Sequence, residues 1–198
     1  LSLDYNYNVD CGNNTGDEKV TTSYICNYAA AGTYIIRIWD NKGDGTGFPR
    51  IYFNGSGDKD KILAVTQWGT GKWTSMANAF KGCSNLTIEA EDIPDLSGVT
   101  DMSGMFDSAY VFDQFIGNWD TSNVTNMAGM FNSAFAFNQP IEEWDTSCVT
   151  DMSDMFHHAK AFNQPIGGWI TDNVQNMAGM FSGAETFNQE IGGWNTAK

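Results

Sequence analysis

No catalytic phrase occurs in the 198 residues: GxSxG, HExxH, a phosphate-binding loop and a paired-carboxylate motif are all missing. The chain therefore reads as a non-enzyme that requires no cofactor. Positive charge is scarce too. Ten Lys and Arg stand against 24 Asp and Glu, a formal net charge of −14. Nucleic acid and anionic membrane surfaces are thereby excluded as partners, since both need a cationic face. Long apolar runs are absent, the best candidate being YIIRIW with its arginine, so no direct membrane insertion is expected. The four cysteines form no CxxC and no Cys/His cluster at zinc spacing. Cys11 and Cys26, in a short front segment with little core, are candidates for a disulfide, which would fit an oxidising compartment. Cys83 and Cys148 read as separate buried thiols. The start LSLDY has no initiating Met or leader and reads as processed or excised.

What the chain does have is repetition. VTDMSGMF at 99–106 recurs as VTNMAGMF at 124–131, VTDMSDMF at 149–156 and VQNMAGMF at 174–181. Trp119, Trp144, Trp169 and Trp194 keep the same step of 25, as does the phrase FNQPI at 137–141 and 162–166, with relatives at 112–116 and 187–191. Met76, Phe80 and Trp68 mark degenerate earlier copies. From Trp73 onward there are 16 acidic and three basic residues, against eight and seven before it, so the repeats carry most of the negative field.

Each copy shows two periods. In VTNMAGMFNSA the apolar residues fall at helical spacing, and FNQPI reads as a strand followed by a turn. One strand and one short helical segment per 25 residues predict an α/β repeat solenoid, leucine-rich-repeat-like, with a parallel sheet on one side and helical segments on the other. A lone coil buries too little to offset the ordering of its own backbone, so like must stack on like. The solenoid is placed at 48–198, with degenerate coils over 48–98 and regular coils over 99–198. Residues 1–47, with loop-then-strand patterning in NYAAAGTYIIRIW, read as a small β-sandwich-like module capping the first coil.

The phrase WDTSxVTxMSxMFxxAxxFNQPIGxW resembles the 25/26-residue repeat of bacterial surface proteins related to the BspA-like leucine-rich repeats, and ANAFKGCSNLTI at 77–88 is similar to the BspA-like form itself. The front segment more weakly resembles a PKD-type Ig-like module. The resemblance implies an extracellular protein, secreted or displayed at a cell surface, in which adhesion is the usual role. It carries no catalytic residues.

Within that frame the Gln column (Gln114, Gln139, Gln164, Gln189) is expected to point inward, and its neighbours outward. The outward set, Asp113, Phe115, Asn138, Pro140, Asn163, Pro165, Asn188 and Glu190, is the candidate partner-binding sheet face. The tryptophan column reads as a buried spine rather than a sugar platform, with Ile93 in the matching place of the coil that lacks one. DNKGDGT at 40–46 is a candidate calcium loop through Asp40, Asn41 and Asp44, though an ordinary polar turn explains it as well. Two functions follow: surface interaction with a protein or glycan through the sheet face, or self-assembly of copies into a layer or filament, the last coil resting on the next front module.

Overall fold

A computed structural model describes residues 4–196, so the reading of the first three residues, and of Ala197 and Lys198 at an uncapped end, lies outside the described residues. The front of the chain forms one antiparallel sheet of β1 (Tyr7–Asp10), β2 (Gly16–Val20) and β3 (Arg37–Asp40), in the order β2-β1-β3. Tyr7, Val9 and Val20 bury against Phe48, and Cys11 is disulfide-bonded to Cys26. A single sheet is not the pair of sheets that makes an Ig- or PKD-like sandwich. Of the apolar stretch TYIIRIW only the end is strand, and Ile35, Ile36, Ile38 and Trp39 are exposed.

The helices that the spacing predicts do not form. Among the described residues there is no helix, and the remaining strands are the two-residue β4 (Ala64–Val65) and β5 (Thr87–Ile88), paired parallel. The chain is therefore not an α/β leucine-rich-repeat-like solenoid. Residues 124–134 instead form successive turns, in which amides alternate between two kinds of partner. The N–H groups of Met130, Asn132 and Ala134 donate three residues back, to Met127, Gly129 and Phe131. Those of Met127, Gly129, Phe131 and Ser133 donate to the next coil, at Asp151, Ser153, Met155 and His157. Two residues four apart are left-handed, Gly129 (φ 60°) and Ser133 (φ 56°), and this breaks any helix before it closes a second turn.

Lateral space explains the choice. Equivalent rings in successive coils lie 5.7 Å apart at Phe131–Phe156, 6.0 Å at Phe137–Phe162 and 6.5 Å at Trp144–Trp169. Spacing that stays nearly constant across the section means the stack does not fan open on one side. A helix with its side chains needs about 10 Å, so one per coil cannot fit. The apolar spacing still marks the inward residues, since Val124, Met127, Met130, Phe131 and Ala134 are all buried. Steps of three residues belong to consecutive turns as much as to a helix.

The predicted strand at FNQPI fails for a different reason. Pro140 has no N–H, and the Asn138 N–H goes to the side-chain Oδ1 of Asp113 rather than to a carbonyl. No backbone ladder can run there. Single parallel bridges occur instead in the VTDM phrase, joining Asp101, Asn126, Asp151 and Asn176 in sequence.

At the front of the stack, residues 45–55 act as a partial coil. Phe53, Asn54 and Gly55 donate their N–H groups to the carbonyls of Ala79, Asn78 and Lys81, and Phe48 packs on both Tyr7 and Trp73.

Candidate interaction surface

The inner part of each coil is spent on holding the stack. Phe106, Phe131 and Phe156 stack at 5.7–5.8 Å, and the indoles of Trp144, Trp169 and Trp194 lie nearly parallel at 6.3–6.5 Å. Buried Thr121, Thr146 and Thr171 donate their hydroxyls to the carbonyls of Asp145, Ile170 and Asn195 one coil on. Trp119, Trp144 and Trp169 are buried. Ile93 is not their substitute: it is 48% exposed, while its neighbour Pro94 is buried and Trp68 reaches Trp119 directly at 5.6 Å.

The predicted sheet face divides in two. Asp113, Asn138 and Asn163 are half-buried, and each accepts from the next coil through Oδ1. Asp113 takes the backbone N–H of Asn138 and the Nε2–H of Gln139. Asn138 does the same for Asn163 and Gln164, and Asn163 for Asn188 and Gln189. The glutamines thus bind the Asn column rather than one another. Asn138 and Asn163, read from sequence as facing out, are committed to the fold. Asn188 is exposed. In the other half, Phe115, Pro165 and Glu190 are exposed and Pro140 is half-buried, but no sheet lies beneath them.

A different column, exposed in every regular coil, carries aromatic rings. Tyr110 and Phe135, 46% and 40% exposed, stack with centroids 5.0 Å apart. The Lys160 ammonium lies 5.8 Å from the Phe135 centroid and pairs with Glu185 at 2.9 Å. The lysine's hydrogen bond and charge hold the Glu185 carboxyl below its ordinary range. Val111 beside Tyr110 is 58% exposed. These four positions, 25 apart, change residue type in every coil, whereas the core columns repeat. Freedom from the stacking constraint is the sequence signal that could have exposed this column.

In the candidate calcium loop, Asp40 is already engaged. Its carboxylate accepts N–H groups from Lys42, Gly43, Gly45 and Gly47. Burial pushes its pKa up, but these four donors outweigh it and the net value is lowered. Asp44 Oδ1 takes the N–H and the hydroxyl of Thr46, and Asn41 Nδ2 donates to Asn6. Among the described residues no group of three or more His, Cys, Asp or Glu is arranged to hold a metal ion. Of the two thiols read as buried, Cys83 is, and burial pushes its pKa up to about 12; Cys148 is exposed.

No curated protein and no solved structure matches the chain. Residues 53–142 and 74–194 match the family described as "Mycoplasma protein of unknown function, DUF285". The matched span takes in the stack from its partial front coil to the last tryptophan, and the chain belongs to that family.

Proposed function

We propose that this protein is a non-enzymatic interaction module of the bacterial cell exterior, which holds a protein partner against one exposed wall of its coil stack. The stacked, solvent-exposed pair Tyr110–Phe135 carries this reading. Aromatic rings on a rigid scaffold give large contact area with little entropy to lose, and contact hot spots are enriched in them. The neighbouring Val111 and Lys160 supply an apolar flank and the one cation of the column. The acidic surroundings favour a partner with a basic rim, which the net field would steer inward. Screening the chain against an array of extracellular proteins, beside the double variant Tyr110→Ser/Phe135→Ser, tests it. A binder on the array whose affinity falls at least about tenfold in the double variant, at unchanged melting temperature, supports the wall. A silent array from folded protein removes it.

Self-association is a second reading, favoured by β3. This edge strand has a single neighbour, and Ile38 and Trp39 on it are exposed. Light scattering across concentration should then show growing particles that Ile38→Lys abolishes; a monomer at every concentration excludes it.

A further inference from the structure

One junction in the stack is irregular, and it leaves polar groups without partners. In the later coils Gln139, Gln164 and Gln189 donate to a carbonyl and a side-chain oxygen one coil back. Likewise the indole N–H groups of Trp144, Trp169 and Trp194 donate to the carbonyls of Ile116, Ile141 and Ile166. Neither bond exists at the first regular coil. The residue 25 before Asp113 is Ile88, which has no side-chain oxygen. Gln114 and the Trp119 indole N–H have no hydrogen-bond partner among the described residues. Both line the same cleft, of about 240 Å³, where the degenerate coil meets the regular ones.

The rest of the lining narrows the ligand. No cation is present, which disfavours phosphates and acidic sugars. A cage for a quaternary ammonium needs open ring faces, but the Trp68 indole is packed by Trp73, Phe80 and Trp119 at 5.6–6.2 Å. Asp92 already accepts the N–H groups of Trp68 and Gly69, at 2.9 and 2.6 Å. What remains unpartnered is one open ring, Phe115 at 56% exposure, with the amides of Gln114 and Asn118, the Trp119 N–H, the buried Trp68 N–H and the exposed Glu91 carboxylate. A ring with an apolar C–H face and a rim of hydroxyls that both donate and accept matches this set. The volume is below the roughly 300–1,000 Å³ of drug-sized sites, which limits occupancy to one residue.

We propose that this cleft binds a single neutral pyranose residue of a glycan, held by Gln114, Trp119, Asn118 and Glu91 with its apolar face on Phe115. The site is independent of the Tyr110–Phe135 wall and stands whether or not that wall binds a protein. The intact chain is titrated separately with glucose, galactose, mannose and N-acetylglucosamine while the NMR signals of the Trp119 indole N–H and the Gln114 side-chain amide are followed. N-acetylneuraminate and choline serve as anionic and cationic comparators. At least one neutral sugar should shift both signals while the comparators shift neither. Gln114→Ala should weaken that binding about tenfold. Ile88→Asn, which offers Gln114 an acceptor, should weaken it similarly in protein that remains folded. The proposal is overturned if no neutral sugar moves the two signals, if a comparator moves them equally, or if folded variants bind as wild type does. The wild-type spectra decide the question even where a variant fails to fold.

Discussion

The indole N–H of Trp169 donates to the carbonyl of Ile141 at 3.1 Å, across 28 residues of sequence and one coil of the stack. The contact is buried and recurs at Trp144–Ile116. It ties the tryptophan spine to the backbone beneath it, so each coil is fastened to its predecessor by a directional bond as well as by ring stacking.

Trp169→Phe should therefore destabilise the stack by roughly 0.5–1.5 kcal/mol beyond its lost packing, because one buried hydrogen bond is lost while the Ile141 carbonyl keeps the Trp144 backbone N–H. Urea unfolding measures this. Trp194→Phe, at a half-buried site with no described coil over it, should cost less. Both sites carry the bond, so equal costs would show that burial does not strengthen it.

Asp154 has φ 53° at a position where the other regular coils carry Gly104, Gly129 and Gly179, all left-handed. A left-handed non-glycine residue carries about 1–2 kcal/mol of strain, partly offset by the greater chain entropy that glycine loses on folding. Asp154→Gly is expected to stabilise by up to about 1 kcal/mol, read as a raised urea midpoint at unchanged slope. In the opposite direction, Gly179→Ala should destabilise by roughly 1–2 kcal/mol, since φ is 69° there and an alanine carries strain in that region.

Acid should loosen the turns before neutral or alkaline pH does. Asp40, Asp120 and Asp145 all have lowered pKa values. At Asp40 burial opposes the shift and four N–H donors overcome it; at Asp120 and Asp145 the serine hydroxyl and N–H of Ser122 and Ser147 dominate. A carboxylate whose folded value is depressed contributes stability that is fully present above its unfolded value of about 3.9. That contribution is lost as pH falls through the lower folded value. The urea midpoint should hold steady from pH 7 to about 5 and fall on further acidification, by less in Asp40→Asn. An acid limb identical in the variant would rule out this role for Asp40.

How much of this could be read beforehand differs from residue to residue. The inward set Val124, Met127, Met130, Phe131 and Ala134 was visible as spacing, because burial selects apolar side chains whatever backbone carries them. The backbone itself was not visible. A turn chain with two left-handed residues four apart in each coil shares its apolar steps with a helix, and non-glycine residues such as Ser133 and His158 at those places conceal the left-handed signal. Asn138 looked like a surface residue beside an inward Gln139, yet its Oδ1 fastens the next coil, a role that depends on what lies 25 residues away. The exposed Tyr110–Phe135 column was hidden for the converse reason, since attention to what repeats passes over what varies.

Sequence by itself determined that the chain is a register of 25-residue units with a common buried set, because a hydrophobic pattern is a one-dimensional record of which side chains leave water. Tertiary structure alone decided how each unit is built. The close spacing of successive coils leaves no room for helices and sends alternate amides to the neighbouring layer. The same packing leaves Gln114 unpaired at the junction where Ile88 lacks the side-chain oxygen that Asp113, Asn138 and Asn163 supply in later coils.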